Sequence, residues 1–314
     1  MKITLIDPLT VNDELVEEQK NKLEKMGHEF EYYKESANSD DEIIERLKKS
    51  DVAIITNKKF SKKVVDNTNL KLIDVAFTGV DHVAVESAKE KGIVVENASG
   101  YSDISVAELV FGMIISILRK FKDNRENLSG ENNDLLGETL NGKKVGVIGT
   151  GKIGQRVIKL LSAFGAQIIA YNRTEKQEMK DMGVKYVTLD ELLSTSDIVT
   201  VHLPLNDSTK GFLNSDKLNL IKKDSILINC ARGPIIDNDA LADLLNEGKI
   251  RAAGIDVFDM EPPLKDDYKL KNAKNVLITN HIAYYTKEAM VERANIVFDN
   301  LYKFLDGKIQ NEVK

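Results

Sequence analysis

Lys143-Lys144-Val145-Gly146-Val147-Ile148-Gly149-Thr150-Gly151-Lys152-Ile153-Gly154-Gln155 is the stretch that decides the reading of this chain. An apolar run ends in a G-x-G-x-x-G pattern, and a helix-forming segment, Gln155–Leu161, follows. Each glycine has its own task. Gly149 permits a tight turn, Gly151 lets backbone approach a pyrophosphate, and Gly154 lets helix pack on strand. The helix N-terminus adds unpaired N–H groups and a positive dipole end. Lys152 adds a cation and Ile153 completes the turn. A glycine turn without a ligand is the bland alternative, and the flanking strand and helix weigh against it.

Working outward, the strand–helix alternation continues downstream. Strands are predicted at Ile168–Tyr171, Ile198–Val201, Ser225–Asn229, Ala253–Asp256 and Val276–Thr279. Thr188 with Glu191 forms a capping box, and Asp237 caps the helix around Leu241–Leu245. The amphipathic segment Lys287–Leu305 is predicted as a last helix. Upstream, the pattern gives strands at Lys2–Asp7, Glu29–Tyr33, Asp51–Thr56, Leu72–Phe77 and Ile93–Asn97. Helices such as Asp13–Met26 and Asp41–Lys49 lie between them. A long helix, Ser105–Phe121, and a polar surface excursion, Lys122–Asn133, join the two halves. Alternation of this kind implies α/β architecture with mainly parallel sheets covered on both faces.

Composition sets the outer bounds. At 314 residues the chain is too long for one ordinary core, so two domains are expected. It is 42% hydrophobic and 30% charged, as ordinary soluble proteins are. The net charge of −6 argues against nucleic acid or an anionic membrane as main partner. Asp7 and Pro8 interrupt any signal-peptide core. The strongest apolar stretch, Val110–Leu118, is about half the ~20 residues needed to cross a bilayer. The single cysteine, Cys230, fits a reducing compartment, so cytoplasmic placement is expected.

The end of the strand after the glycine loop distinguishes NAD from NADP. A carboxylate there would hold the ribose 2′-hydroxyl of NAD. This chain reads Tyr171-Asn172-Arg173-Thr174 instead. An arginine with amide and hydroxyl neighbours suits a 2′-phosphate, so NADP(H) is favoured over NAD. The competing account makes Arg173 a solvated loop residue.

Three polar residues supply the chemistry: Arg232, Glu261 and His281. Each has an ordinary explanation alone, as a surface arginine, an acid before a proline turn, or a satisfied strand-end histidine. Their positions beyond predicted strand ends shift the balance, because open α/β sheets bind ligands at that edge. Arginine pairs bidentately with a carboxylate. Histidine exchanges a proton with a carbonyl oxygen as hydride moves. A carboxylate on the far imidazole nitrogen fixes the tautomer.

These segments together resemble the D-isomer-specific 2-hydroxyacid dehydrogenase family over nearly the whole chain. The resemblance runs through Thr78-Gly79-Val80-Asp81, Gly100-Tyr101-Ser102, Val106-Ala107-Glu108 and the glycine loop. It continues through His202-Leu203-Pro204-Leu205, Ala231-Arg232-Gly233, Asp256-Val257-Phe258, Glu261-Pro262 and His281-Ile282-Ala283. It implies a Rossmann nucleotide-binding domain, 103–285, and a flavodoxin-like substrate domain, 1–102 plus 286–314, both doubly wound. It also implies a homodimer, and reversible hydride transfer between NAD(P)H and a small 2-oxo acid to give a D-2-hydroxy acid. Under it Arg232 binds the substrate carboxylate and His281 with Glu261 forms the acid/base pair. Thr78 and Gly79 bind substrate, with Tyr101 either facing it or packed as a linker aromatic. Thr78, Asp256 and the Cys230-Ala231-Arg232 segment stand on the nicotinamide side, with Leu203 and Pro204 at the adenosine half, and Val106 and His281 also bind the cofactor. No metal is implied.

The chain also departs from the family. Asn280 stands where a proline is common, which is expected to loosen the loop presenting His281. Thr56-Asn57-Lys58-Lys59 lacks the arginine–serine pair that holds a phosphate in phosphoglycerate dehydrogenases. A small unphosphorylated substrate such as glyoxylate, hydroxypyruvate or pyruvate is therefore favoured. Cys230 is read as packing rather than a nucleophile. Two alternatives stay open: a phosphite-type dehydrogenase, and a non-enzymatic NAD(H)-sensing binding protein.

Overall fold

The computed structural model describes residues 1–122, 135–261 and 263–313. Nearly all of the polar stretch Lys122–Asn133 lies outside them, as does Pro262 of the Glu261-Pro262 motif. The chain divides into two compact units, Met1–Ser102 with Tyr285–Lys314, and Asp103–Tyr284.

The first unit contains β1 (Lys2–Leu5), β2 (Glu29–Tyr32), β3 (Val52–Ile55), β4 (Leu72–Val75) and β5 (Val94–Asn97). All pair in parallel in the order β2-β1-β3-β4-β5. The order reverses between β1 and β3, which makes the sheet doubly wound. Strands β3 and β4 are buried at every position, as a sheet covered on both faces requires. The predicted strands ran one or two residues too long. Ile6 and Ala76 stay fully buried and bond to β3 carbonyls, so hydrophobicity continues past the named strand ends.

The helix Lys287–Leu305 completes this unit and is capped by Thr286, whose side chain accepts from Ala289 N. It buries Phe298 and Leu301 along with Arg293 and Asn300. Arg293 Nη2 donates to Leu9 O at 2.6 Å. The last described residues then return to β5. Asn97 N donates to Asn311 O at 3.1 Å and Val313 N to Val95 O at 2.9 Å, around an antiparallel bridge between Glu96 and Glu312.

Beneath that return lie two fully buried acids in register on adjacent strands, Asp74 and Glu96. Asn300 Nδ2 donates to Asp74 Oδ1 at 3.1 Å, and Gln310 N to Glu96 Oε1 at 2.6 Å. The second oxygen of each acid has no hydrogen-bond partner among the described residues. Burial pushes the Asp74 carboxyl well above its ordinary value and Glu96 up to about 7.

The second unit contains β6 (Lys144–Ile148), β7 (Gln167–Tyr171), β8 (Lys185–Tyr186), β9 (Ile198–Val201), β10 (Ile226–Asn229), β11 (Ala252–Ile255) and β12 (Val276–Ile278). They pair in parallel in the order β12-β11-β10-β9-β6-β7-β8. The order reverses between β6 and β9, beside the glycine loop. Helices Asp103–Leu118 and Lys152–Ala163 cover one face through Val106, Val110, Val157, Ile158 and Leu161. Helices Leu189–Thr195 and Asn238–Asn246 cover the other through Leu192, Leu193, Leu241 and Leu245. The expected caps form: Thr188 accepts from Glu191 N and Asp237 from Ala240 N. The α/β, doubly wound reading therefore holds. No helix among the described residues is long and apolar enough to cross a membrane.

Candidate active site

The glycine loop shows why each glycine stands where it does. Gly149 has φ +96°, and a Cβ there would meet His202 O at 2.5 Å. A Cβ on Gly154 would sit inside the van der Waals surface of the Gly149 carbonyl. A Cβ on Gly151 would meet nothing within 4 Å. The loop is thus closed against the protein at its first and third glycines and open at its second. Gly151 is the N-cap of the helix Lys152–Ala163 and adds no side-chain bond, so the helix begins three residues before the predicted Gln155. Bare first-turn N–H groups beside an open backbone fit a dinucleotide phosphate. Lys152 is exposed on that first turn, with Ile153 half-buried behind it.

At the end of β7, Asn172 Oδ1 accepts from Thr150 N at 3.3 Å and its Nδ2 donates to Thr174 O at 2.5 Å. These bonds join the β7 end to the glycine loop. Arg173 and Thr174 are exposed there, and Arg173 has no ion pair among the described residues. After β9, His202 shares a 2.9 Å hydrogen bond with Thr200 Oγ1, and burial pushes its imidazole down to about 3. Its role is to pack a neutral ring under the loop. Leu203 is half-buried and Pro204 exposed beyond it.

Arg232, Glu261 and His281 follow three adjacent parallel strands, β10, β11 and β12, all at the carboxyl edge that also carries the glycine loop. Buried Asn229 shapes the first turn: its Oδ1 accepts from Ala231 N and its Nδ2 donates to Arg232 O, both at 3.0 Å. Arg232 Nη1 donates to Ala231 O at 2.8 Å. Any Cβ on Gly233 would overlap the Phe258 carbonyl, so the loops after β10 and β11 pack backbone to backbone. Cys230 is buried, with Sγ 3.8 Å from Met113 Sδ. Burial, with the nearby Asp256 charge, raises its thiol well above the ordinary value, so it is no nucleophile.

Asp256 organises the loop that presents the histidine. Its carboxylate accepts from Thr279 Oγ1 at 2.5 Å and from Ile282 N and Ala283 N at 2.9 Å. Its carbonyl accepts from His281 N at 2.9 Å. His281 itself has φ +53°, a left-handed conformation that L side chains adopt at a cost of about 1–3 kcal/mol. The four bonds to Asp256 hold it there. With Asn280 where a proline is common in the family, these bonds are what tie the loop to Asp256.

His281 Nδ1 lies 3.1 Å from Glu261 Oε2, and its ring meets Tyr284 edge-on with centroids 5.5 Å apart. The hydrogen bond from His281, aided by the charges of His281 and Arg232, holds the Glu261 carboxyl below the usual carboxylate range. The remaining ring nitrogen, Nε2, has no hydrogen-bond partner among the described residues. It is free to exchange a proton.

The remaining predicted residues are placed differently. Val106 is buried in the helix Asp103–Leu118, facing the core. Thr78, Gly79 and Tyr101 belong to the first unit. Thr78 O accepts from Asn97 Nδ2 at 2.8 Å, and Thr78 Oγ1 is buried without a hydrogen-bond partner among the described residues. Tyr101 is 6% exposed, and its ring meets Phe77 edge-on with centroids 6.0 Å apart. The sequence reading missed Asn229, Gly233 and Thr279 as loop-shaping residues. An asparagine at a strand end, with a side chain able to bond its own backbone two residues on, was the available signal for the first.

A strained histidine held against a carboxylate, an arginine on the neighbouring turn and a dinucleotide-fitting loop define a nicotinamide-dependent oxidoreductase. The sequence profile described as "D-isomer specific 2-hydroxyacid dehydrogenase, NAD binding domain" matches residues 111–283. D-3-phosphoglycerate dehydrogenase of Methanocaldococcus jannaschii is 38% identical over 312 residues, covering 97% of this chain and 59% of that one. The hydroxypyruvate reductase of Blautia hydrogenotrophica is 33% identical over 323 residues, covering 100% of this chain and 99% of its own. Among solved structures, an acyclic imino acid reductase (Bsp5) in complex with NADPH and D-Arg superposes with a TM-score of 0.90 at 30% identity, covering 100% of both chains. The chain belongs to the D-isomer specific 2-hydroxyacid dehydrogenase family.

Proposed function

We propose that the chain reduces a small, unphosphorylated 2-oxo acid to the D-2-hydroxy acid, with NADPH as the favoured hydride donor. The observation that carries this reading is the pair His281 Nδ1–Glu261 Oε2 at 3.1 Å, which leaves Nε2 open. Glu261 orients the ring and fixes its tautomer. His281 then delivers a proton from Nε2 to the substrate carbonyl oxygen, and takes it back in the oxidative direction. The Arg232 guanidinium pairs with the substrate carboxylate and polarises the adjacent carbonyl. A bound nicotinamide supplies or receives the hydride. Gly149, Gly151, Lys152, Ile153 and Gly154 would hold its phosphates. The roles of Thr78 and Gly79 at the substrate, of Val106, Leu203, Pro204, Cys230, Ala231 and Asp256 at the dinucleotide, and of a homodimeric assembly rest on the family resemblance. Placement in a reducing compartment rests on the lone cysteine.

NADPH is favoured because Arg173 and Thr174, not an acid, stand exposed at the end of β7. The Thr56–Lys59 loop, with no arginine–serine pair, favours an unphosphorylated substrate. Initial rates with NADPH and NADH against glyoxylate, hydroxypyruvate, pyruvate and phosphohydroxypyruvate test both points. We expect kcat/KM at least about tenfold higher with NADPH, and Arg173→Ala to remove most of that margin, about 1.4 kcal/mol. A strong NADH preference would sink the cofactor assignment. Dinucleotide binding without turnover of any 2-oxo acid would favour the sensing protein. The likeness to the imino acid reductase supports one rival, reduction of a C=N bond. Turnover that requires ammonia or an amine beside the 2-oxo acid would establish it.

A further inference from the structure

Little besides His281 holds the Glu261 carboxylate. Its side chain is 73% exposed, so packing does not fix it. His281 Nδ1 is its one hydrogen-bond partner among the described residues. The place of the carboxylate therefore depends on where the chain before it is tied.

That chain is buried from Ala252 to Phe258, and Asp259 is the first exposed residue after it. The peptide joining Phe258 to Asp259 lies against Gly233, where no Cβ would fit. Tyr268 meets the same point. Its ring packs edge-on to Phe258 with centroids 5.9 Å apart, and its hydroxyl donates to Asp259 Oδ1 at 2.6 Å. A short bond from a hydroxyl to a carboxylate is among the stronger kinds. Burial, with the Asp259 bond and charge, pushes the phenol well above its ordinary value. The hydroxyl therefore keeps its proton and goes on donating.

Tyr268 can serve as a strut because its own turn is anchored. It precedes the short helix Leu270–Asn272, whose Leu270 is 1% exposed. Leu270 and Phe258 share one core with Leu241 and Leu245 of the helix Asn238–Asn246. Asn272 Nδ2 donates to Asp266 O at 2.7 Å and to Tyr268 O at 3.2 Å. Lys274 N donates to Asn246 Oδ1 at 3.0 Å and ties the turn to that helix. Asp259, two residues before Glu261, is thus the last tied point of the loop. Every group in this chain of contacts belongs to the unit Asp103–Tyr284.

We propose that Tyr268 is a positioning residue: through Asp259 it holds the loop after β11 so that the Glu261 carboxylate stays on His281 Nδ1. The inference rests on the proposed reaction only for its effect on turnover. The tie itself is a property of the loop.

The test is Tyr268→Phe in the full chain, which keeps the ring and removes the hydroxyl. Losing one hydrogen bond to a charged group, one step away from the reacting ring, predicts a fall in kcat of about 3- to 10-fold with hydroxypyruvate or glyoxylate. KM for the dinucleotide should stay within about twofold. In a Glu261→Ala background the same substitution should cost less than about twofold more, because the carboxylate it positions is gone. Nitrogen-15 NMR of the histidine rings gives a readout independent of turnover, with His281→Ala identifying the signal among the four histidines. Neutral His281 should carry its proton on Nδ1 in the wild type, and shift toward the Nε2–H form in Tyr268→Phe as in Glu261→Ala. An unchanged ring spectrum in Tyr268→Phe would overturn the proposal, whatever kcat does. A full further loss of kcat in the Glu261→Ala background would mean that Tyr268 acts by packing, and the proposal fails. If the wild type turns over no 2-oxo acid, the reaction reading fails by itself, and the ring spectrum still decides the tie.

Discussion

Asp256 and the pair Asp74–Glu96 are carboxylates with no solvent exposure, each in the α/β core of its own unit. Their surroundings differ. Asp256 accepts from one hydroxyl and two backbone N–H groups, all belonging to the loop that carries His281. Among the described residues, Asp74 and Glu96 accept one hydrogen bond each and keep an unpartnered oxygen apiece. Burial is common to both places; the supply of donors is not. A buried acid surrounded by N–H donors becomes an anchor for backbone. A buried acid short of donors beside another acid holds a proton instead. The first arrangement supports chemistry at the edge of a sheet, and the second closes a core under the chain's last described residues.

The comparison can be broken from either side. The largest effect should come from the residue that Asp256 presents. His281→Ala should lower kcat by about 10²- to 10⁴-fold, the usual contribution of a general acid, while KM for the dinucleotide changes little. A kcat within tenfold of wild type would remove His281 from the chemistry. Next comes the anchor. Asp256→Asn turns an acceptor oxygen into an NH₂ group facing N–H donors, and should cut kcat by about 10- to 100-fold. The same change should lower Tm by several degrees, since a buried unsatisfied group costs about 1–3 kcal/mol. If activity survives while Tm falls, Asp256 shapes the core and not the loop.

The smallest effect lies at the other end of the contrast. Burial raises the Glu96 carboxyl to about 7 in the folded chain, above its ordinary 4.5. The folded state therefore binds that proton more tightly than the unfolded chain. Its stabilising contribution is complete below the unfolded value and is lost as pH rises through the folded one. The Gln310 N–H bond and Lys303 favour ionisation of Glu96, and Glu312 opposes it. Glu96→Gln should leave Tm near wild type at pH 4.5 and gain on it progressively toward pH 8. Tm curves that run parallel across this range would show that Glu96 is not the titrating group.

Much of this contrast was legible in the chain, and the reason is periodicity. Short apolar runs such as Val52–Ile55 and Ile198–Val201, the second broken only by Thr200, alternate with helical segments, and together they announce the parallel sheets. Arg232, Glu261 and His281 were legible because each lies a few residues past such a run. What stayed hidden depends on contacts between distant residues. Asp256 reads as one more acid until Thr279, Ile282 and Ala283 are seen to converge on it. The two-residue strand Lys185–Tyr186 has no pattern of its own and exists by pairing with β7. Asp74 and Glu96 look like surface charges in sequence, and only their register shows two acids side by side.

The return of Asn311–Val313 onto β5 carries one more consequence. β5 is one of the two outer strands of the five-stranded sheet, and an uncovered outer strand offers its free N–H and C=O groups to any passing chain. The backbone bonds Asn97 N–Asn311 O and Val313 N–Val95 O occupy that margin. Residues 311–313 thus act as a selvedge: they finish this margin of the sheet, so that its free backbone groups are not left to template aggregation.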